Sequence, residues 1–116
     1  MTELRLKTGI WIKAQLRLCD QALLPVVIVR RGDEDAGQVL IKHNRLSRGC
    51  WLLARRYNMD SERVWTIVAG GEDIHAERDC DAYIEREADI DPDLWAMEVE
   101  DTEGVYKPDG QEPVDL

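Results

Sequence analysis

The chain is poor in the groupings that announce chemistry. It has no apolar run near the roughly 20 residues of a membrane span, and its opening, MTELRLKTGI, lacks the apolar core and cleavage site of a secretory leader. Its three cysteines, Cys19, Cys50 and Cys80, are odd in number and form no CxxC pair. They read as small buried hydrophobes in a reducing cytoplasm, not as a disulfide framework. The two histidines are His43 and His75, and only His75 has a ligand-type residue four positions on, Asp79. That is too little to hold a metal. The two serines, Ser47 and Ser61, sit outside any GxSxG elbow. Gly70-Gly71 lacks the lysine and third glycine of a phosphate loop. Asp33-Glu34-Asp35-Ala36-Gly37 lacks the alternating ligands and closing glutamate of a calcium loop and reads as a turn. No catalytic residue, metal or cofactor is nominated, and the chain leans away from an enzyme. Cys50 and His43 could meet across neighbouring strands, but Trp51 and Leu52 beside the thiol would raise its pKa instead of activating it.

What is present is charge, unevenly placed. Up to Gly71, twelve Lys and Arg face seven Asp and Glu; from Glu72 on, three face seventeen. The first stretch therefore carries +5 and the second −14, for a net of −9 over 116 residues. Such a division has an internal solution, in which the acidic part packs against the basic part. Net acidity argues against nonspecific binding to nucleic acid or an anionic membrane.

The length fits one domain with a single core. Trp11, Ile12, Leu16, Cys19 and Leu23 form the apolar stripe of a helix over residues 9–23, with Thr8 as a suitable N-cap. Four short apolar runs follow, at 26–29, 39–43, 50–55 and 63–68, each separated by turn residues, which predicts an antiparallel meander. A second helix runs from an N-cap at Asp73 to about Ile90, where Pro92 stops it. A fifth strand occupies residues 94–99.

The predicted fold is α+β, in the order α-β-β-β-β-α-β, with a mostly antiparallel five-stranded sheet. Val26–Val29, apolar on both faces, belongs inside that sheet, which gives the spatial order 5-1-2-3-4. Parallel pairing of the fifth strand with the fourth is the alternative. Both helices are expected on one face, leaving the other open and apolar, which predicts a homodimer. Residues 1–101 form the domain, and the acidic residues 102–116, with little to bury, are expected as a mobile or loosely docked tail.

On the second helix Glu77, Asp81, Glu85 and Asp89 recur every fourth residue and stack into one ridge. Like charges so spaced cost roughly 0.2–0.5 kcal/mol per pair. The ridge is either a solvated face or a docking surface for a basic protein partner. Glu87 falls inside the apolar stripe and must snorkel, pair or shift its pKa; an arginine partner is expected. Arg30, Arg31, Lys42, Arg45, Arg48, Arg55 and Arg56 fall at strand ends and loops, where they could form an anion or RNA patch, and Arg30, Arg31, Lys42, Asn44 and Arg45 are the set for a small anionic ligand.

The blocks KTGIWIKAQLRLC, VVIVRRGDEDAGQVLIKHNRL and DAYIEREADIDPDLWAMEVED resemble a family of small alphaproteobacterial proteins known only as domain-of-unknown-function family 1491. The resemblance implies a stand-alone cytoplasmic domain with no assigned activity, and it transfers no catalytic residue. Within those blocks Asp33, Asp35 and Gly37 join Arg30, Arg31, Lys42, Asn44, Arg45 and Glu87 as polar or turn positions of interest. Two functions stay open: a non-catalytic interaction or regulatory module, or a binder or enzyme for a small anion at the basic hairpin. RNA binding is the weaker third.

Overall fold

The computed structural model describes residues 6–115. Residues 1–5 of the expected domain, with most of the opening read for a leader, and Leu116 of the expected tail lie outside the described residues. Helix α1 spans Thr8–Gln21, and strands β1 to β4 span Val26–Arg30, Val39–Asn44, Cys50–Tyr57 and Arg63–Gly71. Helix α2 covers Ala76–Ile90 and strand β5 Trp95–Glu100. The element order and the α+β class agree with the expectation, and three of the four strand pairings are antiparallel. Lys7, not Thr8, caps α1; the Thr8 hydroxyl instead donates to the Gly37 carbonyl at 2.8 Å. His75 caps α2, and Asp73 folds the preceding turn by accepting the His75 N–H on its carboxylate.

The spatial order is β1-β5-β2-β3-β4, which corrects the predicted 5-1-2-3-4. β5 does lie antiparallel to β1, with Val26 opposite Val99 and Ile28 opposite Met97. It also pairs parallel with β2, Lys42 opposite Glu98, so it separates two strands expected to be neighbours. β1 is thus an edge strand. The Glu98 carboxylate is tolerated in the interior here because Lys42 and Asn44 stand beside it on β2. The connection from β1 to β2 arches around the start of β5. The Asp33 N–H donates to the Asp93 carbonyl, and the Trp95 indole donates to the Asp33 carbonyl. Gly32 and Gly37 line this crossing, where a Cβ would stand 2.1 and 2.3 Å from the Asp93 carbonyl oxygen.

The helices lie on opposite faces, a second correction. Ile41, Leu53, Trp65, Met97 and Val99 point to the side where Trp11, Ile12 and Cys19 of α1 pack. Leu40, Leu52, Ala54 and Ala96 point to the other, against Cys80 and Ile84 of α2. Strand alternation divides the layers, and each fully buried large apolar side chain contributes about 1.5–3 kcal/mol. The open face behind the homodimer expectation is therefore absent. Apolar side chains of the sheet itself stay exposed at β1, with Val27 56% and Val29 49% exposed.

The chain after β5 is docked more closely than its composition suggests. Tyr106 and Pro108 are buried on the α1 face, and the Tyr106 hydroxyl donates to Gln15 at 2.7 Å. Asp109 accepts the indole N–H groups of Trp11 and Trp65 and a guanidinium N–H of Arg55, at 2.8, 3.0 and 2.7 Å. Arg55 in turn covers both indole rings, which stack on each other. Val114 adds a parallel bridge to Thr66 of β4.

Candidate functional site

Strand alternation sends Lys42 and Asn44 of β2 to the α2 face and His43 to the α1 face. Two polar clusters result, one on each side of the sheet.

On the α2 side the Lys42 ammonium is buried under three carboxylates. It lies 2.8 Å from Asp81, 3.6 Å from Glu98 and 3.7 Å from Glu77. The Asn44 amide donates to both Glu77 and Glu98. Burial works to lower the Lys42 pKa, but the hydrogen bond to Asp81 and the charges of Glu98, Asp81 and Glu77 outweigh it and raise it. The lysine is therefore held as a cation, unsuited to act as a free amine nucleophile. Its one charge does not cancel three. Asp81 and Glu77 keep about half of their side-chain surface exposed (53% and 52%), so the group faces solvent as a net anion.

The ridge continues along α2 through Glu85 and Asp89, both exposed. Among the described residues neither forms an ion pair: Arg78 turns to Asp79, and Arg86 lies over the Tyr83 ring. Glu87 also lacks an ion pair among the described residues, which corrects the expected arginine partner. It is only half-buried, so its carboxylate reaches water without one. Beyond the helix N-terminus a groove of about 630 Å³ is bordered by Glu72, Asp73, Glu77 and Glu100.

On the α1 side His43 Nε2 lies 2.8 Å from Asp101, whose carboxylate is almost fully buried. That carboxylate also accepts the backbone N–H groups of Tyr106 and Val105. Burial alone would raise the Asp101 pKa; the Tyr106 amide, His43 and the Val105 amide together bring it below the usual carboxylate value. Arg45 donates from Nε and Nη2 to the Thr102 carbonyl, at 3.3 and 3.2 Å, and its guanidinium lies over Trp51. A cleft of about 140 Å³ opens between these groups, Tyr106 and Lys107.

The five residues considered for a small anionic ligand are thus not brought together. Lys42 and Asn44 belong to the acidic cluster, and Arg45 stands in the cleft on the other face. Arg30 donates to the Pro92 carbonyl, and Arg31 pairs with Glu34 and covers the Trp95 ring. Both are occupied in holding the crossing at the start of β5. Cys50 and His43 lie on opposite faces and cannot pair. The Cys50 thiol is pushed well up by its hydrogen bond with Cys80 and by burial. Burial, with Asp101 nearby, pushes Cys19 up to about 11.

Sequence reasoning missed the groups that complete both clusters. Glu98 was read as an ordinary strand acid, Asp101 as the last residue of the domain with no role, and Lys107 as tail. One signal was available for Glu98, a carboxylate in a strand otherwise fit for the core; nothing local marks Asp101.

The fold and its two polar clusters define a small α+β domain with a mixed sheet between single helices. A model of the family described as a protein of unknown function (DUF1491) matches residues 6–106, and the chain belongs to that family. The crystal structure of a DUF1491 family protein from Caulobacter crescentus is similar, at 35% identity over 95% of this chain and 99% of that one, with a TM-score of 0.77. An NMR structure of a DUF1491 family protein from the same bacterium gives 34% identity and a TM-score of 0.74, covering 98% and 100% of the two chains. The solution structure of protein Atu0922 from A. tumefaciens is 26% identical, covering 84% of this chain and 87% of that one, with a TM-score of 0.66. Comparison with curated proteins finds no match. No helix among the described residues is long and apolar enough to cross a membrane.

Proposed function

We propose that this domain is a non-catalytic interaction module of the bacterial cytoplasm whose α2 ridge receives a basic segment of a partner protein. The observation that carries the reading is the charge imbalance at Lys42: one buried cation shared by three carboxylates, two of them half-exposed. Glu85 and Asp89 extend the same sign along the helix, and the acidic groove borders its N-terminal end. Such a surface attracts cations over about a Debye length, roughly 8 Å at physiological salt. Glu85→Lys/Asp89→Lys tests the reading without touching the partners of Lys42. Captured from native extract, wild type should retain a basic partner that the variant loses. Retention of the same partner by both sinks the proposal.

A second copy is the other partner with a specific observation behind it. β1 is a free sheet edge, and Val27 and Val29 are half-exposed beside it. Light scattering decides: a dimer at micromolar concentration that Val29→Lys dissociates supports this reading, and a monomer throughout ends it. No specific observation favours RNA: Lys42 is buried among carboxylates, and Arg31 and Arg55 are paired with Glu34 and Asp109.

A further inference from the structure

The cleft on the α1 face owes nothing to the docking ridge and stands or falls separately. It is assembled from two segments distant in sequence. His43 and Trp51 face each other across β2 and β3, and Arg45 follows where β2 ends. From the other side, the Asp101 N–H donates to the Asn44 carbonyl, and the chain turns through Gly104 to bring up Tyr106 and Lys107. Gly104 has φ +70°, and a Cβ there would stand 2.7 Å from the Arg45 Cζ. The turn therefore leaves room for the guanidinium in a way only glycine readily allows.

The polar groups are held in advance of any ligand. Asp101 is fixed by two backbone amides and grips His43 Nε2, which leaves Nδ1 as the ring's remaining hydrogen-bonding atom. Arg45 is fixed by the Thr102 carbonyl through Nε and Nη2. Among the described residues its Nη1 makes no hydrogen bond. Lys107 stands at the rim, 2.7 Å from Glu112. Leu53 and Ile67 add apolar wall beside Trp51 and Tyr106. Two lysine or arginine cations against one lining carboxylate favour a monoanion. At about 140 Å³ the cleft falls below the roughly 300–1,000 Å³ of drug-sized sites, so a nucleotide is too large.

We propose that this cleft is a binding site for a small organic carboxylate, with the anion held by Arg45 and Lys107 and an apolar body against Trp51 and Tyr106. His43 supplies the remaining polar contact from the floor. The arrangement is that of a binding site, and no reacting group is assigned.

Titration of isotope-labelled protein with benzoate, acetate, inorganic phosphate and chloride at constant ionic strength tests this. Benzoate should shift the His43 ring, Arg45 Nε–H and Trp51 indole signals saturably, and more tightly than acetate or phosphate. Arg45→Gln should weaken benzoate roughly tenfold, the loss expected for one charge-assisted hydrogen bond. Lys107→Gln, at an exposed position, should weaken it several-fold and serves if the Arg45 variant does not fold. Arg78→Gln on α2 should leave binding unchanged. Non-saturating shifts, unaltered affinity in the cleft variants, or phosphate binding more tightly than benzoate would overturn the assignment.

Discussion

Lys42 shows how one side chain can decide what a surface is for. Removing its charge leaves three carboxylates facing one another with no cation beneath them. Breaking a buried pair costs about 3–5 kcal/mol, but two of these carboxylates keep access to water, so Lys42→Met should cost about 2–4 kcal/mol in urea unfolding. A loss under 0.5 kcal/mol would mean that the pairing is only a surface contact. Because the folded-state pKa of Lys42 is raised, its contribution is fully present below the unfolded lysine value and fades as pH rises through the folded one. Asp101 and Asp109 act in the opposite sense. Burial would raise both, but Tyr106, His43 and Val105 hold Asp101 down, and Trp11, Trp65 and Arg55 hold Asp109 down. Their stabilisation is present above the unfolded carboxylate pKa, near about 3.9, and is lost as pH falls through the lower folded values. Thermal melts between pH 6 and 2 should show that acid loss, and Asp101→Asn should flatten its lower limb; an unchanged profile would remove Asp101 from the account.

At the scale of elements, the sequence reported the number and kind of pieces better than their neighbours. The two helices and five strands are legible because their apolar periods of 3.6 and 2 are local. Strand order is not local. Val26–Val29 looked central because both faces are apolar, which put β5 outside it; the reverse holds, and Lys42, 56 positions away, neutralises Glu98 inside the sheet. The side taken by each helix was equally hidden, since α1 and α2 each carry one stripe and either face of the sheet could accept it. The ridge could be read from four-residue spacing alone, but not that half of it rests on a lysine. The correct order has a measurable consequence. β5 amides, paired on both sides, should exchange only on global unfolding, while β1 amides should exchange through smaller openings. Equal protection in the two strands would contradict the edge placement of β1. The segment after β5 is tested by Asp109→Ala, which deletes the acceptor shared by Trp11, Trp65 and Arg55. A cost of about 2–3 kcal/mol with a change in tryptophan emission is expected; no change in either would mean the segment is not anchored there.

For the whole molecule, the segregation of charge is partly resolved by folding and partly left over. Arg48, Arg55 and Lys42 from the basic stretch meet Glu103, Asp109 and the Glu77–Asp81–Glu98 group from the acidic one. Seventeen acids against three bases after Gly71 cannot all be matched this way, and the surplus is concentrated along α2 and its adjoining groove. That surplus is what a basic partner would recognise, and salt should weaken the attraction. The most direct measurement is to titrate labelled protein with the captured partner and map the amide shifts on the fold. The account predicts that they fall along Glu77–Asp89 and shrink as salt is raised. Shifts confined to β1 or to the His43 cleft, with α2 silent, would contradict it.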